Sequence, residues 1–483
     1  MNFTLPLFSA AFPELILLSM TCIVLLADIF LPARLRGLTY YLTQLTLVLA
    51  FVAAFMQYQD YPEPIITFHR GYIVDKLAIL SKLIMYVFSL FAFIYARDYI
   101  KERRIATGEY YLLGLFSVLG MSIMVSAYSL LTIYLGLELL SLSLYAMVAM
   151  YKDSTLATEA AIKYFVMGAL ASGLFLYGIS LLYGITGDIQ IATIAQTLQS
   201  NLNLVALVAL IFIISGLIFK FGAVPFHMWV PDVYQGSATP VTLFIASAPK
   251  VAAFVIMVRV LVQALPSLQV AWEQVLILVA ILSMFFGNLL AIAQTNLKRM
   301  LAYSSIAHIG YTLLGILAGP QSAQGYSAAM FYISTYVLVA AGAFAIIAIL
   351  SKQGMEFDQL NDYRGLNARN PWLAFMMLLL MFSMAGVPPT VGFFAKLGLL
   401  QALVEAHLVW LAVLALVFAL IGAYYYLRIV MLMYFEEPAT PQHSQHIAVS
   451  PGLAAVISVN GVAALALGLL PSTFIDLCRI SVG

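Results

Sequence analysis

The sequence predicts an all-α polytopic membrane protein of about fourteen transmembrane helices, and three observations carry that prediction. The chain has 483 residues, of which 64% are hydrophobic and 9% charged, with a mean hydropathy of +1.02; a soluble globular chain carries roughly 25% charged residues. Apolar runs of about 20 residues, enough to cross a bilayer as helix, recur along its length, whereas a barrel strand alternates over about ten. Lysine and arginine gather in every second loop, the pattern of a chain threaded back and forth through a membrane.

The runs fall, in order, near 11–31, 38–57, 77–97, 110–126, 129–151, 158–184 and 204–231, then 238–264, 272–294, 298–319, 326–350, 371–401, 406–432 and 450–470. "LPARLRG" parts spans 1 and 2, the polar "DYPEPIITFHRGY" precedes span 3, and spans 4 and 5 almost merge. The longest polar stretch, "SKQGMEFDQLNDYRGLNARN", separates spans 11 and 12. Odd-numbered loops hold or border thirteen lysines and arginines, among them Arg34, Arg36, Arg104, Lys298, Arg299 and Lys352. Even loops and termini hold or border Arg70, Lys76, Arg259 and Arg479. The odd loops are therefore expected to face the cytoplasm and both termini the periplasm.

A net charge of +1 points to no nucleic-acid or acidic partner, and the apolar runs make the lipid bilayer the expected surroundings. Cys22 and Cys478 stand alone, with no CxxC or iron–sulfur spacing, and the histidines lack metal-ligand spacing. No Ser or Cys has a base at a recognisable distance, so nucleophilic catalysis is disfavoured. The N-terminus "MNFTLPLFSAAFPEL" lacks the basic start of a cleavable signal, so the first span is expected to stay.

A weak internal echo crosses the chain. "GAVPF" at 222–226 and "AGVPP" at 385–389 place Val-Pro inside apolar runs 163 residues apart. "AYSLLTIYLGLE" at 127–138 lies over "AQTNLKRMLAYS" at 293–304 at an offset of 166. These pair span 7 with 12 and span 5 with 10. A shift of five spans is odd, so the copies run in opposite senses, an inverted repeat with interrupted helices. Proline removes a backbone donor and leaves carbonyls that must face protein or water.

Five ionisable residues sit deep in spans: Glu138, Lys220, Lys250, His308 and Lys396. Each charge at a helix centre costs about 2.5–3.5 kcal/mol even on the lenient insertion scale. Desolvation disfavours the charged form and an opposite charge restores it, so a Glu138–Lys220 pair that closes and opens loads and releases a proton. Bland readings stand beside this one. Lys82 is placed to snorkel from span 3, and Lys163 follows Glu159 by four residues, an ordinary surface pair or a proton feed. His227 and Asp232 read as capping or proton entry, Glu405 and His407 as exit lining or solvated ends.

The residues also carry a resemblance. "FKFGAVPFHMWVPDVYQGSATPV", "LGLELLSLSLYAMVAM", "QTNLKRMLAYSSIAHIGYTLLG", "DYRGL" and "FSMAGVPPTVGFFAKLGLL" look like the antiporter-like subunits of respiratory complex I, the proton-translocating NADH:quinone oxidoreductase. "PDVYQGSATPV", the length and the fourteen spans resemble the N-type branch. The resemblance implies two inverted five-helix repeats with broken helices 7 and 12. It divides the chain into 1–109, a first repeat at 110–264, a second at 272–432, and a C-terminal part at 433–483.

It also implies proton translocation, with Glu138 modulating Lys220, Lys250 bridging, His308 connecting and Lys396 terminal. FMN, iron–sulfur clusters and quinone then belong to partner subunits, including neighbouring antiporter-like ones, in a bacterial inner membrane. The alternatives are a subunit of a multi-subunit Na⁺/H⁺ antiporter or membrane-bound hydrogenase, a stand-alone solute transporter, and a structural anchor. The near absence of polar lining argues against a solute site, and five midplane charges argue against an anchor.

Overall fold

The computed structural model describes residues 6–482 except 33–34, 36, 104, 106, 201–202, 352–354 and 438–448. Four of the basic residues of the odd-numbered loops, Arg34, Arg36, Arg104 and Lys352, lie outside the described residues. Among those described, thirteen helical stretches are long and apolar enough to cross a membrane.

In chain order the helices are α1 (Phe12–Phe30), α2 (Gly37–Asp60), α3 (Lys76–Glu102), α4 (Thr107–Val125), α5 (Leu130–Val148) and α6 (Thr155–Thr186). A short α7 (Ile191–Ser200) leads to α8 (Leu204–Phe221) and α9 (Trp229–Gly236), the two halves of span 7. Span 8 comprises α10 (Thr239–Ala246), α11 (Ala248–Met257) and a π-helical turn at Val258–Ala264. There follow α12 (Gln269–Ile292), α13 (Leu297–Ala318), α14 (Gly325–Leu350) and a short α15 (Leu366–Arg369). Span 12 is the pair α16 (Pro371–Ala385) and α17 (Val391–Glu405), each of 15 residues and the fourteenth crossing. The chain ends with α18 (Val409–Phe435), α19 (Pro451–Leu469) and the short α20 (Ser472–Val482). Between α2 and α3 a small hairpin pairs β1 (Ile65–Thr67) with β2 (Tyr72–Val74), Ile65 opposite Val74.

Local chemistry sets the helix starts. Side-chain oxygens of Asp75, Ser154, Asn203, Asn296 and Asn370 each accept from the backbone N–H three residues on, at 2.8, 3.2, 3.0, 3.0 and 2.9 Å. Each satisfies one of the donors a helix start leaves free. Span 8, expected as one helix, breaks at Ser247 (φ −111°, ψ −108°). Pro249 sits in the first turn of α11, where its missing N–H costs nothing.

The two main breaks are built alike. Gly222 (φ +83°) donates to the Ile218 and Phe219 carbonyls at 2.8 and 3.0 Å, and Gly386 (φ +86°) to those of Phe382 and Ser383 at 2.9 and 3.1 Å. Both left-handed positions suit glycine. Cis peptides follow at Val224–Pro225 and Pro388–Pro389. Gly386 lies 164 residues after Gly222, and Pro389 164 after Pro225. Matching the two Val-Pro pairs at 163 is therefore one residue out; the turn geometry, not the valine, defines the equivalence. The fold is two inverted five-helix repeats, with α10, α11, α13 and α14 buried at the centre and α1, α2, α6 and α19 presenting apolar faces outward.

Candidate functional site

The break after α8 leaves the Phe221 carbonyl without a helical partner, and Lys250 supplies one, its Nζ donating at 2.8 Å. The break after α16 is completed in the same way by Lys396, which donates to the Met384 and Ala385 carbonyls at 3.0 and 2.9 Å. A Cβ added at Gly222 would lie 3.3 Å from the Lys250 ammonium, and one at Gly386 3.2 Å from that of Lys396. The structural counterpart of Lys396 is thus Lys250, not Lys220, although Lys250 arrives from a neighbouring span and Lys396 from the second half of its own. A cation at a helix C-terminus meets both orphan carbonyls and the negative end of the dipole.

Lys220 points the other way. Its ammonium donates to Ser141 Oγ at 2.7 Å and Tyr145 Oη at 3.2 Å, both on α5. Glu138 stands one turn earlier on that helix, and its Oε1 is buried without a hydrogen-bond partner. The Glu138–Lys220 pair is open: Ser141 and Tyr145 take the ammonium instead. Lys220 and Lys250 share a small cavity of about 20 Å³ lined by Ser141, Tyr164, Trp229 and apolar side chains of α4, α5 and α11.

His308, at the middle of α13, is held at both ring nitrogens, by Tyr332 Oη at 2.7 Å and Tyr426 Oη at 3.0 Å. Tyr425 Oη donates to Asn288 Oδ1 at 3.1 Å and lies 3.2 Å from Tyr426 Oη. His308 and Lys396 line a second small cavity, of about 20 Å³, with Tyr332, Tyr336 and Ser383. The Tyr234 hydroxyl from α9 and the Ser305 hydroxyl from α13 are buried without a hydrogen-bond partner, and the Tyr336 ring from α14 lies 4.8 Å from that of His308. Four of the five intramembrane residues thus fall into two cavities, with hydroxyl groups between, and Glu138 stands beside the first.

The remaining sequence candidates lie apart. Asp232 bridges Lys163 at 2.8 Å and Arg299 at 2.7 Å, tying α9 to α6 and α13, and Lys163 also pairs with Glu159 at 2.8 Å. His227 lies in the break, partly exposed, its Nδ1 buried and unpaired. Glu405 accepts from Ser322 at 2.7 Å and Gln324 at 3.1 Å, and His407 is exposed with φ +59°.

Three buried cations were misplaced by sequence reasoning. Lys82 does not snorkel: it is fully buried, 2.6 Å from Glu14 and 2.9 Å from Tyr72 Oη. Arg259, expected at a loop border, is fully buried against Asp75 at 2.8 Å and the Val125 carbonyl at 2.8 Å. Lys298, counted with the inner loop, is 3% exposed and donates to the Ser237 carbonyl at 2.9 Å. Partners 68 to 184 residues away in sequence explain the first two, and no local pattern announces them. Among the described residues no His, Cys, Asp and Glu group is placed to hold a metal ion.

The chain is similar to known proteins over nearly its whole length. A family model described as "NADH:quinone oxidoreductase/Mrp antiporter, TM" matches residues 127–422. "NADH-quinone oxidoreductase subunit N" of Coxiella burnetii is 50% identical over 482 residues, covering 99% of both chains. A chain of respiratory complex I from Thermus thermophilus with bound aureothin superposes at a TM-score of 0.81, is 35% identical, and covers 97% of this chain and 99% of its own. A chain of the Mrp complex from Dietzia sp. superposes at 0.87 with 20% identity, covering 98% and 97%, a likeness of fold.

Proposed function

The chain belongs to the NADH:quinone oxidoreductase/Mrp antiporter transmembrane family, in its subunit N branch, and from that premise we propose how its buried charges move protons. It is a proton-translocating subunit in the membrane arm of NADH:quinone oxidoreductase, a respiratory complex I, and its partners are other membrane-arm subunits. The Mrp-type fold is nearly superposable, so shape does not choose between the two assemblies; half-identity over the full length does.

In the proposed relay, protons enter from the cytoplasm towards Lys220, cross by way of Lys250 and His308, and leave past Lys396 to the periplasm. The two repeats, 110–264 and 272–432, each contribute one broken helix. This orientation, with both termini periplasmic in a bacterial inner membrane, rests on the lysine and arginine distribution. FMN, iron–sulfur clusters and quinone are assigned to partner subunits.

The observation that carries the relay is the docking of Lys250 and Lys396 on the open carbonyl ends of the two breaks. A protonated lysine donates there and is held by the dipole; on losing its proton it loses that electrostatic hold, and the break is freed to rearrange. Proton occupancy and break geometry then change together. Glu138 acts earlier in the row: closing on Lys220 it favours the ammonium, and withdrawing it favours release towards Lys250. The open pair corresponds to the withdrawn arrangement. Lys163 and Asp232 act as an inner-side bracket, His227 lines the first break, and Glu405 with His407 marks the exit.

The assembled complex in proteoliposomes gives the test. Lys220→Ala and Glu138→Ala are expected to assemble and oxidise NADH while moving fewer protons per NADH. Unchanged stoichiometry in both would sink the relay.

A further inference from the structure

The inner-side ends of α3, α10 and α13 meet under the loop that follows α14, and an ionisable cluster is buried there that the relay above does not use. Its centre is Lys298, 3% exposed in the first turn of α13, where a lysine at a membrane border ordinarily reaches for water. This one turns inward instead, and its ammonium donates to the Ser237 carbonyl at 2.9 Å. Glu356, from the loop, faces it. That carboxylate accepts from Tyr99 Oη on α3 and from Thr239 Oγ1 at 3.2 Å on α10, and pairs with Arg103 at 3.2 Å. Asp358 and Arg103 are the other charges that act on Lys298. Asp358 is itself tied to Asn296 at 2.6 Å.

Hydroxyls lead inward from this cluster. Ser237 Oγ and Thr242 Oγ1 are 2.8 Å apart, both buried, and Thr242 donates to the Tyr234 carbonyl at 2.9 Å. Tyr234 and Ser305 are buried as well, and the Tyr336 ring lies beside that of His308. Buried polar groups thus line the boundary between the two repeats from a partly exposed carboxylate towards the second cavity, but as a broken row. Thr242 ends on the Tyr234 carbonyl, and the Tyr234 and Ser305 hydroxyls are buried without a hydrogen-bond partner, gaps that bridging water must close. The row bypasses Lys220 and Lys250.

Building on the relay reading, we propose that Lys298 is a further proton carrier, the inner-side entry to the second repeat, with Glu356 as its positioning partner. The arrangement parallels the Glu138–Lys220 pair at the membrane border: a buried lysine, here docked on the Ser237 carbonyl, with a carboxylate near enough to favour its charged form. The Lys298 ammonium gives its proton to water beside the Ser237 and Thr242 hydroxyls, and the excess proton passes along bridging water towards the second cavity. The resulting neutral amine takes one from cytoplasmic water beside Glu356, so that no net charge stays behind. A second entry lets the two repeats load independently, one through Lys220 and one through Lys298.

A rival explanation makes the cluster a static lock on the loop, and arginine separates the two. Arginine keeps the cation and its bond to the carbonyl, and it does not deprotonate in proteins. Lys298→Arg and Lys298→Met are to be compared in the intact complex in proteoliposomes, reading protons moved per NADH oxidised, with Lys220→Ala alongside. The expected result is normal assembly of Lys298→Arg and loss of pumping as large as in Lys298→Met. Restoration of pumping by arginine, or unchanged pumping in both, overturns the proposal. If Lys220→Ala still loses protons, the relay itself stands in either case. Should Lys298→Arg fail to assemble, Glu356→Asp and Glu356→Gln decide. Pumping retained by aspartate and lost with glutamine supports the entry, and pumping by the glutamine variant at the parent level overturns it.

Discussion

Lys82 and Glu14 illustrate at the level of single residues what burial demands of a charge. Both are inside the protein, 2.6 Å apart, with Tyr72 donating to Glu14 at 2.6 Å. Lys82→Met leaves the carboxylate buried without its cation, and breaking a buried pair in this way costs about 3–5 kcal/mol. The expected outcome is a marked drop in the melting temperature of the purified complex for Lys82→Met, and recovery of most of it in Lys82→Met/Glu14→Leu, where neither charge remains. A double variant as unstable as the single one would show that the pair is not the source. Legibility in the sequence divides along the same line. The depth of Lys220, Lys250, His308 and Lys396 was readable because each interrupts an unbroken apolar run. The burial of Lys82, Arg259 and Lys298 was not, since Glu14, Asp75 and the inner-side loop reach them only through the tertiary fold.

Among the elements, the breaks invite the most direct test. Alanine at Gly222 or Gly386 must adopt a left-handed backbone, at about 1–2 kcal/mol, and its Cβ presses on the lysine that completes the break. Gly386→Ala is expected to assemble with slightly lowered thermal stability and to lose far more pumping than that cost explains, read as protons per NADH. Equal pumping would detach the break from the transfer. The inner-side loop offers a second test. Burial raises the Glu356 carboxyl, but Lys298, the Tyr99 hydroxyl and Arg103 outweigh it and hold it below the usual glutamate range. A group depressed in the folded state stabilises above its unfolded pKa and loses that contribution as pH falls through the folded value. Hydrogen exchange at residues 355–365 should therefore accelerate below the ordinary glutamate range, and Glu356→Gln should remove that acid step.

Spans 3, 7 and 10, expected from 77, 204 and 298, begin within one residue of the helices that Asp75, Asn203 and Asn296 cap. Span 8 was read as continuous because Pro249 was passed over inside an apolar run, and the offset of 163 came from matching side chains where the backbone turn was the repeated object.

On the scale of the whole molecule, the breaks gather the ammonium groups of Lys220, Lys250 and Lys396 near the middle of the protein, with His308 at the middle of its own helix. The helices that carry the central groups, α11 and α13, are fully enclosed by others, so lipid does not reach them. Electrical work is the quantity this layout governs. Moving one elementary charge across a membrane costs about 2.3 kcal/mol per 100 mV, but only displacement along the membrane normal counts. A proton handed along a row that lies parallel to the bilayer does almost no work against the voltage. The potential therefore bears on the entrances and the exit alone, and the middle of the relay is left to be driven by local charge and hydrogen bonding.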